Sequence, residues 1–259
     1  ARLFGGRSPW YKAGFAMRRA KIVCTLGPAS SDAAVIDRMV AAGMDCARLN
    51  FSHGSHDSHR ANAKLIRDAS SGAGRPLAIV ADLCGPKMRV GRFELGKVEL
   101  VPGTTFTLTT RDVTGNAQLV SQTYGPLPRD VTPGTAILLD DGLLRLRVVE
   151  TTATDVVCEV EIGGELSDKK GLNVPGAPLS TPALTPKDRV DLAFAVDELG
   201  VDYVALSFVR RADDVLEAKA IAKGTPLIAK IEKPEAVENL AAILDAVGGA
   251  MVARGDLGV

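Results

Sequence analysis

The chain has 259 residues, 46% of them hydrophobic and 24% charged, which is enough apolar material to bury a core. Its 31 basic and 31 acidic side chains give a formal net charge of zero, so we expect neither nucleic acid nor a membrane surface as a partner. No apolar run is long enough to span a bilayer, and the N-terminal segment lacks the apolar core of a secretion signal. Four widely spaced cysteines without a Cys-x-x-Cys pair are typical of reduced thiols, which predicts a cytoplasmic protein.

The first part of the chain alternates strand-like and helix-like patterns. Short apolar runs predict strands at residues 21–26, 46–52 and 77–82, and apolar residues at helical spacing predict helices at 31–42 and 57–69. The strands stay apolar on both sides until a polar residue ends them. That pattern is typical of a parallel sheet covered by helices.

The pattern changes after Gly85 and Pro86. Short runs rich in Val, Thr and Leu follow one another, separated by turns that contain Pro, Gly and Asp, and no helical pattern lies between them. They predict a small all-β insert that ends near residues 173–176. Its predicted strands lie at residues 98–101, 105–109, 136–139, 143–149 and 156–162.

The alternating pattern then returns. Thr185, Pro186 and Asp188 are typical of a helix start, because they supply a hydroxyl cap, a proline in the first turn and an early carboxylate. The predicted helices lie at residues 185–199, 213–222 and 235–247, and the predicted strands at 201–209, 226–232 and 250–254.

These elements predict an α/β protein with an incomplete (β/α)8 TIM-type barrel, in which about six of the eight strands are present. A small all-β barrel domain is inserted into it. The predicted divisions are an extra N-terminal segment at 1–16, a first barrel part at 17–86, the insert at 87–178, and a second, truncated barrel part at 179–259.

Polar side chains interrupt three of the strands near their C-terminal ends, where barrel enzymes carry their catalytic groups. Because strand side chains alternate, the members of each group share one face. A lysine inside an apolar strand is costly to bury unless it is paired or functional, so a structural Lys–Glu pair stays an alternative. The groups are Arg48, Asn50 and Ser52, then Lys230 and Glu232, then Arg254 and Asp256.

Each of these residue types suits one part of a phosphorylated substrate bound with magnesium. The carboxylates of Glu232 and Asp256 offer the hard oxygen ligands that Mg²⁺ prefers. The planar guanidinium of Arg48 matches phosphate oxygens. Oxygens of Asn50, Ser52 and Asp82 suit a monovalent cation, although hydrogen bonding at strand ends would also explain them.

Several motifs together resemble pyruvate kinase. They are KIVCTLGP at residues 21–28, ARLNFSHG at 47–54, DLCGPKMR at 82–89, IAKIEKP at 228–234 and MVARGD at 251–256. They occur in the order of that family, and the resemblance extends over residues 17–259. It implies transfer of a phosphoryl group between phosphoenolpyruvate and ADP, giving pyruvate and ATP, the last step of glycolysis. It also implies that the full-length protein continues beyond this chain and forms a homotetramer.

The resemblance implies roles for the substrate-binding residues. Glu232 and Asp256 would hold Mg²⁺ or Mn²⁺, and Lys230 would stabilise the transferring phosphoryl group and the enolate oxygen. Arg48 would act with Lys230 in catalysis, and the Gly255 amide would approach the substrate. Substrate phosphate would also contact Arg89.

The nucleotide site implied by the resemblance is made of other residues. His53 would lie near the nucleotide, and Lys170 would reach it from the insert. Arg48 and Asn50 would complete this site. For His53, Lys170 and Arg89, a solvated surface position is an equally good interpretation of the sequence.

In the family, a potassium ion lies on residues that match Asn50, Ser52 and Asp82 and on the backbone carbonyl that matches Leu83. Potassium-dependent members carry Thr where this chain has Leu83 and Glu where it has Lys87. The lysine resembles the potassium-independent branch, since a tethered ammonium can supply the charge of a bound cation. We therefore predict activity without potassium.

Two other functions stay open at this point. The chain could be an inactive fragment that needs a complementary C-terminal segment, because missing strands would leave unpaired edges. It could also be a magnesium-dependent aldolase or lyase acting on pyruvate-like acids in the same barrel. Formation of ATP from ADP distinguishes pyruvate kinase from the aldolase or lyase.

Overall fold

Six parallel strands form one curved sheet in the computed structural model, which describes residues 20–177 and 179–258. The predicted segment at residues 1–16 lies outside the described residues. The strands, in their order across the sheet, are β1 (Val23–Leu26), β2 (Cys46–Asn50), β3 (Ala78–Asp82), β12 (Tyr203–Leu206), β13 (Leu227–Ile231) and β14 (Gly249–Val252). All five pairings are parallel, which confirms the incomplete α/β barrel.

Helices connect these strands and cover one face of the sheet. Asp32 begins the first helix by accepting bonds from two backbone amides, and Thr185 begins the helix before β12 with a capping box. The helices are α1 (Ala33–Ala41), α2 (His56–Gly72), α4 (Pro186–Asp197), α5 (Ala212–Ala222), α6 (Pro234–Glu238), α7 (Leu240–Ala246) and α8 (Arg254–Leu257).

The two faces of the sheet differ in burial. On β2, Ala47 and Leu49 are buried in the core that the sheet shares with the helices. Ala229 on β13 is buried in the same core. The alternate positions, among them Arg48 and Lys230, point to the inner face. The alternation therefore brings polar residues from distant parts of the chain to one surface.

A second group of strands lies between β3 and α4. It has its own buried core, which runs from Met88 to Val174 and shares no residue with the core of the parallel sheet. The elements are β4 (Lys97–Leu100), β5 (Thr105–Thr109), β6 (Leu119–Ser121), α3 (Leu127–Asp130), β7 (Ala136–Leu139), β8 (Leu144–Thr151), β9 (Asp155–Ile162), β10 (Gly164–Ser167) and β11 (Leu172–Asn173). A six-stranded sheet has the order β11-β7-β8-β9-β5-β6, and a two-stranded sheet pairs β10 with β4.

Apart from differences in the ends of elements, three sequence-based predictions of elements are wrong in kind. The helix predicted at 235–247 is two helices that meet at Asn239, whose side-chain amide donates to the carbonyls of Arg210 and Glu235 and so competes with a regular helix. Residues 119–121, 164–167 and 172–173 form strands that were not predicted, and the insert contains the short helix α3.

The third wrong prediction concerns the end of the chain. The strand predicted at 250–254 ends at Val252, and Arg254 and Asp256 lie in the short helix α8 instead of alternating along a strand. The last ladder bond of β14 runs from Ala253 N to Ile231 O, and Ile231 is also the last residue of β13. Extended pairing of β14 therefore ends where β13, its partner within the described residues, ends.

The remaining composition-based predictions concern membranes and cysteines. Among the described residues, no helix combines the length and the apolar character that crossing a membrane requires. All four cysteines, which lie in this part of the chain, are free thiols.

Candidate active site

Lys230 is the centre of the polar cluster on the inner face of the sheet. Its Nζ donates a 2.8 Å hydrogen bond to Ser207 Oγ and lies 2.8 Å from Glu232 Oε1 and 3.4 Å from Asp82 Oδ1. The side chain is only 13% exposed. Burial lowers the pKa of Lys230, but the adjacent carboxylates of Asp82 and Glu232 outweigh this effect and raise the pKa above its ordinary value. Lys230 is therefore a paired, charged ammonium.

Asp82, the last residue of β3, joins two cations from different strands. Its buried Oδ2 accepts hydrogen bonds from Arg48 Nε at 2.7 Å and lies 2.5 Å from Arg48 Nη2, while its Oδ1 faces Lys230. Arg48 is fixed further by a 2.8 Å bond from Nη1 to Thr25 Oγ1 on β1. The arginine and the lysine that were predicted to act together thus share one carboxylate.

Glu232 follows directly after β13 and is completely buried. Its Oε2 accepts a 2.7 Å bond from the backbone amide of Phe208, a non-glycine residue in the left-handed region with φ of 57°. Glu232 Oε1 and Asp82 Oδ1 are both buried and both face the Lys230 ammonium, at 2.8 Å and 3.4 Å. A carboxylate oxygen has more than one lone pair, so these two oxygens fit a site for a further cation beside Lys230.

The structure does not bring Asp256 into contact with this cluster. Asp256 Oδ1 lies 3.9 Å from Lys87 Nζ, and both side chains are about one-third exposed. Gly255 is exposed, and a Cβ at this position would meet no atom within 4 Å. The described residues contain no group of three or more His, Cys, Asp or Glu side chains that could hold a metal ion. Glu232 and Asp256 would therefore need oxygens from substrate or water to complete a magnesium site.

Three of the four residues predicted for a monovalent cation, Asn50, Asp82 and Leu83, use an oxygen within the protein. Asn50 is aligned with Asp82 in the β2–β3 ladder, and its Oδ1 accepts a 3.1 Å bond from the backbone amide of Ser52. Ser52 lies in the turn after β2, so it is not part of the strand that was predicted to include it. The carbonyl of Leu83 accepts a 2.7 Å bond from Ser207 Oγ.

Two of the residues predicted for the nucleotide, His53 and Lys170, have exposed or partly exposed side chains. His53 is exposed, and its carbonyl interacts with His59 Nε2 at 3.0 Å. Lys170 forms a 2.8 Å ion pair with Asp140, which raises the pKa of the lysine through a hydrogen bond. Arg89 Nη1 donates to the carbonyl of Lys169 at 2.9 Å. Lys170 and Arg89 are thus both tied to the insert.

A cleft separates the insert from the ends of the parallel strands. Lys233 lies in it, donating to Asn173 Oδ1 of the insert at 3.1 Å with its Nζ 5.5 Å from the centre of the Phe208 ring. Burial lowers the pKa of Lys233, and Asp256 opposes this effect. Lys87 and Asp256 also line the cleft, whereas Lys230 does not.

Sequence reasoning missed Ser207, which links Lys230 to the Leu83 carbonyl. Ser207 and Phe208 follow β12 directly, so their place at a strand end was a usable signal. Thr25 was missed as well, because a threonine in a strand is common and gives no signal of its own.

Comparison with known proteins places the chain in a family. The family model described as "Pyruvate kinase, barrel domain" matches residues 17–259. Over 246 residues the chain is 50% identical to the pyruvate kinases of Corynebacterium efficiens and Corynebacterium glutamicum, and 48% identical to that of Mycobacterium tuberculosis. Each alignment covers 93% of this chain and 52% of the relative, so the chain spans about half the length of the curated relatives it matches. With the barrel-domain match extending over nearly its whole length, the chain belongs to the pyruvate kinase family.

Proposed function

We propose that the protein transfers a phosphoryl group between phosphoenolpyruvate and ADP, giving pyruvate and ATP. The observation that carries the proposal is the Lys230 ammonium, held between Asp82 and Glu232 where parallel strands end. Phosphoryl transfer depends mainly on positioning and on fixed charges, and this position in a barrel is where such groups act. The names of its relatives point to the same reaction.

Arg48 and Lys230 have separate tasks in this proposal. Arg48 would bind phosphate oxygens through its planar guanidinium, with Arg89 assisting from the start of the insert. Lys230 would stabilise both the transferring phosphoryl group and the enolate oxygen that remains. The Gly255 amide would contact the substrate, while His53, Lys170 and Asn50 would contact the nucleotide together with Arg48.

Magnesium or manganese would be held by Glu232 and Asp256. The buried carboxylate of Glu232, whose Oε1 faces the Lys230 ammonium where β13 ends, supports the first ligand. Two protein carboxylates are enough for Mg²⁺, since this ion usually keeps several waters or substrate oxygens. When bound, the ion supplies positive charge to the phosphate oxygens.

Activity of the protein tests this function. We expect pyruvate formation from phosphoenolpyruvate, ADP and Mg²⁺, followed with lactate dehydrogenase, either by the chain alone or by the chain joined to a C-terminal segment that matches the rest of its relatives. Lys230→Met should lower kcat by about 10²-fold or more, because it removes a charge that acts on the transition state. The control is Lys223→Met, which removes an ion pair with Asp197 far from the site.

Two outcomes would contradict the proposal. Full activity of Lys230→Met would exclude Lys230 from the reaction. A protein that cleaves or forms carbon–carbon bonds in pyruvate-like acids, but makes no ATP, would be an aldolase or lyase. Activity that appears only with the C-terminal segment would mean that this chain alone is an inactive fragment.

Independence from potassium is a second part of the proposal. The presence of Lys87 where potassium-dependent members carry Glu supports it, since a tethered ammonium can supply the charge of a bound cation. We expect full turnover when tetramethylammonium replaces potassium, and a requirement for potassium in Lys87→Glu. Loss of wild-type turnover in tetramethylammonium would refute this part.

The proposal also covers the cellular location, the partners and the oligomeric state of the enzyme. Its family and its zero formal charge support a cytoplasmic glycolytic enzyme whose partners are phosphoenolpyruvate and ADP or ATP, not nucleic acid or membrane. We propose a homotetramer for the full-length protein. Gel filtration with light scattering measures that state directly.

A further inference from the structure

The first turn of α4 contacts both loops that carry predicted site residues. Lys187 Nζ donates a 2.9 Å bond to the carbonyl of Phe51, in the loop after β2. Asp188 Oδ1 accepts a 3.1 Å bond from the amide of Gly85, in the loop after β3. We call residues 83–87 the β3 loop. It carries the Leu83 carbonyl at one end and Lys87 at the other.

Asp188 uses its two oxygens for different purposes. Oδ2 accepts bonds from Thr185 N at 3.0 Å and from Thr185 Oγ1 at 2.5 Å, which completes the capping box of α4. Oδ1 points to Gly85, and the residue is completely buried. Capping requires only one oxygen, so helix capping does not explain the second bond or its burial.

The β3 loop is pressed against the residues that contact the Lys230 cluster. Gly85 has φ of 66°, and a Cβ there would lie 2.6 Å from the Phe208 ring and 2.8 Å from the Ser207 side chain. Ser207 accepts the bond from Lys230, and the Phe208 amide donates to Glu232. A shift of the β3 loop would therefore displace Ser207 and Phe208, which bind Lys230 and Glu232.

We propose that Asp188 is a positioning residue for the site, an inference that rests on the proposed phosphoryl transfer. By holding the Gly85 amide, Asp188 fixes the β3 loop against Ser207 and Phe208. This contact sets the position of Lys87 and of the Leu83 carbonyl relative to Lys230 and Glu232. Asp188 touches no reacting atom; it acts through the loop.

The two roles of Asp188 can be separated by substitution. Asp188→Ala removes both the cap and the loop contact, whereas Thr185→Ala weakens the cap and leaves Asp188 Oδ1 on Gly85. Asp188→Ser keeps one oxygen that can serve Thr185 but lacks the oxygen that reaches Gly85. Asp188→Ser can therefore be compared with Thr185→Ala if Asp188→Ala does not fold.

The first measurement is amide hydrogen exchange of Gly85, with amides within α4 as internal reference. We expect exchange at Gly85 to be faster in the Asp188 variants than in Thr185→Ala. The second measurement is kinetic: kcat/KM for phosphoenolpyruvate should fall at least about tenfold in the Asp188 variants and stay close to wild type in Thr185→Ala. Asp188→Ala and Thr185→Ala should both melt at a lower temperature than wild type, because both weaken the cap.

Two results would overturn the inference. One is Gly85 exchange that is no faster in the Asp188 variants than in Thr185→Ala. The other is equal loss of kcat/KM in the Asp188 and Thr185 variants, which would make Asp188 a cap only. A wild-type protein without transfer activity would reject the proposed function instead, while the exchange comparison would still decide whether Asp188 holds the loop.

Discussion

Gly85 shows how a single residue can determine the spacing of a site. Two independent requirements meet there, since its backbone is left-handed and its Cα lies against Ser207 and Phe208. Gly74 has a similar backbone, with φ of 58°, but a Cβ there would meet nothing within 4 Å. A comparison of Gly85 with Gly74 therefore separates the effect of backbone strain from that of steric crowding.

We predict that Gly85→Ala is clearly more destabilising than Gly74→Ala. Gly74→Ala should lower the free energy of unfolding by about 1–2 kcal/mol, the cost of a left-handed alanine. Gly85→Ala should cost at least about 1 kcal/mol more, because the methyl group forces Phe208 or Ser207 to move. Denaturant titration measures both values. Equal losses would show that the loop can shift away without cost.

The residues differ in how far sequence could predict their contacts. Lys230 and Glu232 are two positions apart near one strand end, so their proximity follows from the strand period. The contact of Lys230 with Asp82 depends on the order of strands in the sheet, which no local pattern contains. Asp256 was predicted to alternate with Arg254 along a strand, but its neighbours form a helical turn.

Strand β9 places a thiol in the core of the insert. Cys158 is fully buried, and burial raises the pKa of its thiol from 9.0 to about 12. The folded protein therefore keeps this proton at pH values where the unfolded chain has lost it. Since the folded state then binds more protons, the free energy of unfolding falls as pH rises above 9.

We predict that this effect is visible between pH 8 and pH 10. Over that interval the thiol should remove about 1.4 kcal/mol of stability from the wild type, one pKa unit of linkage. Cys158→Ala lacks the thiol, so its stability deficit relative to wild type should shrink by that amount. Denaturant titrations at the two pH values test this. A constant deficit would mean that the thiol ionises normally in the folded protein.

Elements were predictable where local pattern and tertiary context agree. The strands at 105–109 and 136–139 have the predicted bounds because their alternation faces one core. The helix at 235–247 was predicted as continuous, and its break depends on the contact of Asn239 with Arg210, a residue on another element. Short edge strands such as β11 have two residues and give no pattern to recognise.

At the scale of the whole molecule, two cores lie side by side. No residue is shared between the core of the parallel sheet and that of the insert, and the chain enters and leaves the insert near Met88 and Val174. A group of strands with a complete core of its own can fold independently. The boundaries at 87 and 178 remain a prediction from the sequence.

We predict that residues 87–178 fold in isolation. The separate fragment should give dispersed amide resonances and a cooperative denaturant transition. Leu146→Ala, at a fully buried position, should lower the stability of this fragment by about 2–5 kcal/mol. A fragment with the spectrum of an unfolded chain would show that the insert requires the parallel sheet.

The shared carboxylate of Asp82 has a consequence for the order of events at the site. Arg48 and Lys230 together carry two positive charges, and Asp82 and Glu232 carry two negative ones, so the resting cluster is neutral. A phosphorylated acid that arrived by itself would gain no net attraction and would have to compete with Asp82 for both donors. A divalent ion that accompanies the anion offsets two of the negative charges that it brings to the cluster. The cluster thereby favours the ion-bound form of its ligand over the bare one.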